Sequence, residues 1–471
     1  MRKTKIVCTI GPASESEEML TALCKAGMNV ARLNFSHGTH EEHLKRINRI
    51  KKVRAELGLP IAIMLDTKGP EFRIGKFKEG KVFLNAGEHF SFTTEDVEGD
   101  DSVVSVSYKQ LAKELSAGDT ILVNNALLEF KVISSDGVKI DTEVITGGEI
   151  SDKKSMSFPG KHMKQTYLSE QDKSDILFGV ENDVDFIACS FVSVKQDLID
   201  VHEFLRTHEK DDTVELIAKI ENQSGYDNIE DICEECDGIM VARGDMGVEV
   251  PFEQLPAIQK DLITKCRMLG KRVITATEML ESMIHNPRPT RAETSDVANA
   301  VYDGSSAIML SGETAAGAYP VQAVETMAKI AETTERNIHY SKRFHKYDFF
   351  IQNDVDAISH ATCGMAIDLN AKVIVACTLS GRTARMVSRF RSPVDIIGLT
   401  TNEKTWRKLS LSWAVTPKMC EVVPSTDVLF YSAKKVAVET MNLQSGDKIV
   451  ITGGVTNGQS GNTNLIKIED V

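Results

Sequence analysis

Eight short apolar runs alternate with helical segments along much of the chain, and this rhythm constrains the fold more than any other feature. The runs begin near residues 5, 29, 61, 185, 215, 238, 272 and 307, and polar side chains follow each of them. A parallel strand that is covered on both faces has such a continuous apolar pattern. Eight strand–helix units predict an α/β fold, a closed (β/α)8 TIM barrel, with a functional site where the polar strand ends converge. An open doubly wound sheet is the alternative, although no GxGxxG motif follows the first run.

Two stretches depart from this rhythm and indicate further domains. Residues 69–164 show short strand-like runs separated by turns, which predicts an all-β domain inserted after the third barrel strand. Beyond residue 335 the composition changes, and three more apolar runs alternate with helices, which predicts a small C-terminal α/β domain. We therefore predict a barrel of residues 1–68 and 165–335, an inserted domain of 69–164 and a C-terminal domain of 336–471.

Composition limits the compartment and the partners. No apolar run is long enough to span a bilayer, and the start, Met1-Arg-Lys-Thr-Lys, leads into a strand rather than a signal peptide. Nine scattered cysteines fit reduced thiols, so we expect a cytoplasmic protein without a membrane partner. The net charge of −13 argues against a nucleic-acid partner but allows anionic small substrates, because a local basic cluster can override the mean charge.

The fifth run, residues 215–222, has the clearest chemical signal. Lys219 and Glu221 are two positions apart, so in a strand they project to the same face near its carboxyl end. An isolated buried lysine is costly, so we expect a carboxylate partner or an anionic ligand. The next two runs are followed by Asp245 and Thr277. One amine, two carboxylates and a hydroxyl suit a divalent cation beside a phosphate, whereas a purely structural Lys219–Glu221 ion pair is the alternative.

These segments resemble the signatures of the pyruvate kinase family, in its bacterial-type, potassium-dependent pattern. The matching segments are residues 32–38, 65–71, 218–222, 240–245, 274–277, 286–293 and 309–313. The resemblance covers nearly the whole chain. It implies a barrel, a mobile β lid, a C-terminal regulatory domain and a homotetramer. It also implies phosphoryl transfer from phosphoenolpyruvate to ADP, giving pyruvate and ATP in glycolysis.

Roles for individual residues follow from the resemblance. It implies that Glu221 and Asp245 hold Mg²⁺ or Mn²⁺, that Lys219 neutralises the phosphoryl group in flight, and that Arg32 grips the same phosphate. Phosphoryl transfer needs mainly positioning and charge stabilisation, which these residue types supply.

The substrate's other groups have candidate partners too. The resemblance implies that the N–H groups of Gly244 and Asp245 receive the substrate carboxylate, and that Thr277 lies near the enolate carbon that gains a proton. Whether Thr277 or a water supplies that proton stays open. Arg73 and Lys154 are the candidates for the nucleotide phosphates.

A potassium site and an effector site complete the resemblance. Asn34, Ser36, Asp66 and Thr67 match the family's potassium ligands, and Glu71 fits the potassium-dependent type. In the C-terminal domain a turn before a helix is expected to bind a sugar-phosphate or nucleotide effector, with the glycine-rich residues 453–461 closing over it. The expected effector residues are Thr378, Ser380, Gly381, Arg382 and Thr383.

Three of the departures from the family pattern bear on activity. Asn124 and Asn125 replace an acidic pair of the lid, and Glu278 stands where glutamine is common. These departures leave open a catalytically weakened paralogue that senses a phosphorylated metabolite. Another magnesium-dependent barrel enzyme acting on phosphoenolpyruvate or pyruvate, such as a lyase, is a further alternative.

Overall fold

Eight parallel strands close into a barrel, which confirms the predicted α/β architecture. The computed structural model describes residues 1–161, 163–347, 349–454 and 463–471. Each barrel strand pairs with the next one along the chain, and the eighth pairs with the first. In chain order the barrel strands β1 to β8 are Lys5–Thr9, Val30–Asn34, Ala62–Asp66, Phe186–Cys189, Glu215–Ile220, Gly238–Ala242, Arg272–Ala276 and Ala307–Leu310.

The continuous apolar runs reflect two layers of core. Alternate residues of a strand point to opposite faces. Val7 in β1 and Met240 in β6 therefore lie in the barrel interior, whereas their neighbours Ile6 and Ile239 pack outward against helices. Because both faces are buried, polar side chains are tolerated mainly at the strand ends.

Helices surround the barrel on its outer face. The longest, His40–Leu57, begins with a capping box between Thr39 and Glu42 and ends at Gly58 in a left-handed conformation. Among the described residues, no helix is long and apolar enough to cross a membrane. The barrel helices are Glu17–Ala26, His40–Leu57, Glu170–Glu181, Lys195–Thr207, Gln223–Asp227, Ile229–Glu235, Arg243–Glu249, Leu255–Met268, Arg291–Asp303, Gly312–Ala315 and Pro320–Arg336, with a 3-10 turn at Glu281–Ile284.

The inserted module is a β domain with its own core, built around Phe90, Phe92 and Phe130. It also contains one short helix, Leu111–Glu114, and a separate antiparallel pair, Lys81–Leu84 with Gly148–Ser151. The main sheet has seven strands in the order Phe72–Arg73, Ser155–Ser157, Thr120–Val123, Leu128–Ser135, Lys139–Thr146, His89–Thr93 and Val103–Ser105.

Both connections of the module lie against Ser190, just after β4. Gly69 has a φ of +70°, and a Cβ there would lie 2.8 Å from the Ser190 Cβ. On the returning connection, the Tyr167 hydroxyl donates to the Ser190 carbonyl at 2.8 Å. The module is therefore joined to the barrel at the carboxyl ends of the strands.

The C-terminal domain is a five-stranded α/β layer. Its strands lie in the order Val415–Met419, Asp395–Thr400, Val373–Cys377, Lys448–Gly453 and Leu465–Asp470, and only the last is antiparallel to its neighbour. The helix Tyr340–Lys346 precedes these strands. The other helices of the domain are Asp354–Asp368, Arg382–Arg389, Glu403–Lys408 and Thr426–Met441, with a 3-10 turn at Leu409–Leu411.

Ion pairs attach this domain to the amino-terminal end of the barrel. Arg385 lies 2.7 Å from Asp237, which precedes β6, and 3.4 Å from Glu215, the first residue of β5. Glu215 also pairs with Arg272, the first residue of β7. The C-terminal domain thus occupies one end of the barrel and leaves the opposite end to the inserted module.

We predict that Arg385→Met lowers the free energy of unfolding by about 3 kcal/mol, because it removes one partner of a largely buried network. Equilibrium urea unfolding measures the change. Arg206→Met is the matched control, because Arg206 forms an exposed ion pair with Asp211, and such pairs contribute about 0–1 kcal/mol. Equal effects of the two substitutions would contradict the prediction.

Candidate active site

The Lys219 amine lies at the centre of a buried network at the carboxyl end of the barrel. Its Nζ is 3.0 Å from Oδ1 of Asp66, 2.6 Å from Oγ of Ser190 and 3.1 Å from Oε1 of Glu221. Burial alone would lower the pKa of Lys219, but the charges of Asp66 and Glu221 raise it above its usual value. The amine is therefore a fixed positive charge, and the expected carboxylate partner is confirmed.

Asp66, the last residue of β3, joins Lys219 to a second cation. Its Oδ2 accepts a 2.6 Å hydrogen bond from Nε of Arg32, whose Nη1 donates to Oγ1 of Thr9 at 2.9 Å. Burial would raise the pKa of Asp66, yet Arg32 and Lys219 hold it below its ordinary value. Two cations thus share one ionised carboxylate, which leaves this part of the site able to attract an anion.

Glu221 presents a buried carboxylate oxygen without a hydrogen bond. Its Oε2 accepts from the Phe191 N–H at 2.6 Å, whereas Oε1 faces Lys219 as an ion pair but has no well-aligned donor. Burial raises the pKa of Glu221 to about 7, and the charge of Asp245 contributes to the rise while Lys219 opposes it. A cation placed at Oε1 would satisfy this oxygen.

Asp245 is exposed, and it is close enough to Glu221 for its charge to raise the pKa of that carboxyl. Among the described residues, no group of three or more His, Cys, Asp or Glu side chains is arranged to hold a metal. The candidate centre consists of the carboxylates of Glu221 and Asp245. That fits Mg²⁺, which commonly uses one or two carboxylates and completes its shell with water and substrate phosphates.

Thr277, directly after β7, has a strained backbone. Its φ is +68°, and that of Glu278 is +53°. A left-handed conformation is rare for a β-branched residue and costs about 1–3 kcal/mol. The Thr277 hydroxyl donates to the Ala276 carbonyl at 2.7 Å and accepts from the Gly244 N–H at 2.8 Å. The structure thus brings Thr277 and Gly244 together, with this N–H directed at the hydroxyl.

The potassium candidates lie at the ends of β2 and β3, where Asn34 is in register with Asp66. Oδ1 of Asn34 accepts from the N–H of the exposed Ser36 at 3.2 Å. Thr67 is oriented differently, because its hydroxyl accepts from the Ser190 N–H at 3.1 Å and its carbonyl accepts from the Ser190 hydroxyl at 2.7 Å. Both oxygens of Thr67 therefore accept hydrogen bonds from Ser190, which follows β4.

The nucleotide candidates lie in the inserted module. Arg73 forms a two-point ion pair with Glu71, at 2.9 and 2.7 Å, and its Nη1 donates to the Lys153 carbonyl at 2.7 Å. The Lys154 carbonyl accepts from the Ile74 N–H at 3.0 Å, so Lys154 belongs to the segment that pairs beside Arg73.

A cleft of about 420 Å³ separates the inserted module from the barrel. This size suits a small-molecule site. The cleft reaches the Lys219 network at Phe191 and Asp245. Its walls also include Glu71, Phe72, Asn125, Ser157, Phe158, Lys161, Asn222 and Glu249.

Ser190 and Arg243 were not assigned from the sequence. Ser190 stood out only as a polar residue after a strand, yet its side chain contacts Lys219, Asp66 and Thr67. Arg243 is a buried arginine that directly follows the apolar run of β6. A charged residue at that position is the sequence signal that could have identified it.

The effector candidates form a turn and a helix start in the C-terminal domain. Gly381, with a φ of +86°, donates its N–H to the Thr378 hydroxyl at 2.9 Å, and Thr383 shares a 2.7 Å hydroxyl contact with Thr463. Ser380 and Arg382 are exposed beside them. Of the glycine-rich residues 453–461, all but 453 and 454 lie outside the described residues.

Comparisons with known proteins identify relatives of the whole chain. Residues 1–324 match the family model "Pyruvate kinase, barrel domain", and residues 356–469 match "Pyruvate kinase, alpha/beta domain". Pyruvate kinases of Staphylococcus epidermidis and Staphylococcus haemolyticus are each 49% identical over an aligned length of 471, and the alignment covers 99% of this chain and 80% of each relative. The crystal structure of a pyruvate kinase from Cryptosporidium parvum is similar with a TM-score of 0.94 at 37% identity, covering 100% of this chain and 96% of the other.

We predict that Ser190→Ala lowers the free energy of unfolding by about 1–3 kcal/mol, because it leaves the buried Lys219 amine without one acceptor. Urea unfolding measures the loss. Ser193→Ala is the control, since that half-buried hydroxyl contacts Phe191 and Asn222 but no charge. A loss no larger than that of the control would show that Ser190 does not support Lys219.

Proposed function

The chain belongs to the pyruvate kinase family, and we propose that the network around Lys219 performs its phosphoryl transfer. The enzyme converts phosphoenolpyruvate and ADP into pyruvate and ATP in glycolysis. The observation that supports the proposal best is the fixed positive charge of Lys219, held at the carboxyl end of the barrel by carboxylates from two strands.

Lys219 and Arg32 bind the phosphate of phosphoenolpyruvate. They share Asp66, so their positions relative to each other are set before substrate arrives. Preorganised cations of this kind stabilise the charge that spreads over the transferring group. The bond from the enol oxygen to phosphorus breaks, and a bond from phosphorus to the terminal phosphate oxygen of ADP forms.

Glu221 and Asp245 hold the divalent cation. The family generally requires a divalent cation and potassium. The unpartnered Oε1 of Glu221 and the exposed carboxylate of Asp245 fit Mg²⁺ or Mn²⁺. When bound, the ion supplies charge stabilisation to the enol oxygen and the phosphate. Asn34, Ser36, Asp66 and Thr67 hold potassium in the proposal, although Thr67 would have to share oxygens that Ser190 now occupies.

The enolate that remains gains a proton at its methylene carbon. Gly244 and Asp245 orient the substrate carboxylate through their N–H groups, and Thr277 lies beside the carbon that accepts the proton. The Gly244–Thr277 hydrogen bond places Gly244 beside Thr277, and the Gly244 N–H would have to exchange the Thr277 hydroxyl for the substrate carboxylate.

The inserted module, residues 69–164, serves as the lid over the nucleotide, with Arg73 and Lys154 near its phosphates. The ion pair of Arg73 with Glu71, which lines the cleft, supports this role. Asn125 lines the cleft in a left-handed turn with Asn124, so it keeps hydrogen-bonding capacity where the family has charge.

Regulation and assembly are part of the proposal as well. The turn around Gly381 binds a sugar-phosphate or nucleotide effector, and the enzyme acts as a cytoplasmic homotetramer. The nine cysteines are free, and eight of them are buried, which supports a reducing compartment.

We predict that Lys219→Met lowers turnover about 10³-fold, because the transition state loses its fixed charge. A coupled assay of ADP-dependent pyruvate formation, with magnesium and potassium, measures this, and the melting temperature checks the fold. Lys195→Met is the control, since Lys195 is a more exposed lysine paired with Glu234. Unchanged turnover in Lys219→Met would remove the assignment. A wild-type protein that binds phosphoenolpyruvate without turnover would instead favour the sensor.

We predict that binding of Mg²⁺ to the free enzyme is coupled to proton release from Glu221. Its pKa is raised to about 7, so the carboxyl holds a proton below that pH and the cation must displace it. Affinity for Mg²⁺ should fall about tenfold per pH unit below 7 and level off above it. Calorimetric titration across this range tests the slope. Glu221→Gln should abolish the slope, and Asp245→Asn should weaken binding but retain it.

A further inference from the structure

We propose that Arg243 is the positioning residue that fixes Thr277 for the protonation step. The inference rests on the proposed role of Thr277 at the enolate carbon. Arg243 follows β6 and precedes Gly244, and its side chain is directed toward the end of β7 rather than into the substrate site.

The Arg243 guanidinium holds the backbone on both sides of the strained residue. Nε donates to the carbonyls of Ala276 and Thr277, both at 3.2 Å, and Nη2 donates to the Thr277 carbonyl at 2.5 Å. Nη2 also contacts the sulfur of Met279 at 3.0 Å. A single side chain therefore spans the residues on either side of the left-handed pair Thr277–Glu278.

The neighbouring residue holds the Thr277 side chain. The Gly244 N–H donates to the Thr277 hydroxyl at 2.8 Å, so residues 243 and 244 fix the carbonyl and the hydroxyl of the same threonine. On the far side of the turn, Oε1 of Glu313 accepts from the Leu280 N–H at 3.0 Å. A backbone conformation that is rare for threonine persists only where surrounding contacts hold it in place. The hydrogen bonds from Arg243, Gly244 and Leu280 are the contacts that hold Thr277 and the turn after it.

Arg243 is itself anchored at its other edge. Nη1 lies 2.7 Å from Oδ2 of Asp296 and 3.4 Å from Oε1 of Gln259, which belong to the two helices that flank β7 in sequence. The side chain is only 9% exposed. Its planar fork can reach a carbonyl on one edge and a carboxylate on the other, whereas a lysine amine cannot span both.

This geometry separates Arg243 from the phosphoryl-transfer groups. Lys219 and Glu221 are held through Asp66, which ends β3, and through Ser190 and Phe191, which follow β4. None of these contacts involves Arg243. Loosening Thr277 should therefore slow the proton step more than it weakens phosphate binding.

The test compares Arg243→Lys with the wild type in two assays. Exchange of the pyruvate methyl hydrogens in D₂O, followed by NMR with ATP, magnesium and potassium present, reports proton transfer at the substrate carbon. Calorimetric titration with phosphoenolpyruvate and magnesium reports binding. We expect exchange to fall at least tenfold while the dissociation constant for phosphoenolpyruvate changes less than threefold. Asp296→Asn, which removes the negative charge at the outer edge of the fork, should produce a smaller fall in exchange.

Arg54→Lys is the matched control. Arg54 is also a buried arginine that bridges a carbonyl, of Ile61, and a carboxylate, of Asp185, but it lies at the opposite end of the barrel. Exchange in this variant should equal that of the wild type.

Unchanged exchange in Arg243→Lys would overturn the inference, as would an equal loss of exchange and of phosphoenolpyruvate affinity. If Arg243→Lys does not fold, the Asp296→Asn variant is the deciding measurement. An exchange rate in Asp296→Asn equal to that in Arg54→Lys would overturn the inference. Thr277→Val separates the proposed role of Thr277 from the positioning role of Arg243. If it leaves exchange intact, the proposed role of Thr277 fails. If it lowers exchange and Arg243→Lys does not, only the positioning role fails.

Discussion

Removal of the Lys219 amine from water is the constraint on which the site depends. A buried ammonium is stable only with close partners of opposite charge or good hydrogen-bonding geometry. Its partners come from three neighbouring strands, because Asp66 ends β3, Ser190 follows β4 and Glu221 follows β5. These three strands pair side by side and in parallel, so their carboxyl ends lie at one edge of the sheet, and the requirement of one amine is also a requirement on the register of these strands.

The charge balance of the network explains what it can bind. Asp66 is held ionised by two cations, whereas the pKa of Glu221 is raised by burial and by the charge of Asp245. The site therefore has a surplus of positive charge on its Lys219–Arg32 side and a carboxylate that can exchange a proton for a metal ion on the other. A phosphate and a divalent cation are complementary to these two halves.

Backbone strain is concentrated beside the same groups. Phe191 after β4 and Thr277 and Glu278 after β7 have positive φ angles, and none of them is glycine. In two of these places the strained residue makes a contact within the site: the Phe191 N–H donates to Glu221, and the Thr277 hydroxyl accepts from Gly244. The strain is offset by the rigid barrel around it, which is the usual reason that such conformations persist at functional sites.

The sequence by itself determined the barrel, the inserted β domain and the side chains that end each strand, because period and burial are local properties of a strand or a helix. It also determined that Lys219 and Glu221 share a face, since the spacing of two residues fixes that in any strand. The tertiary structure alone decided that Ser190 supports Lys219, that the oxygens of Thr67 turn toward β4, and that Arg243 reaches Asp296 and Gln259. Those contacts join residues 16 to 123 positions apart, and the direction of a side chain depends on packing that no local pattern encodes.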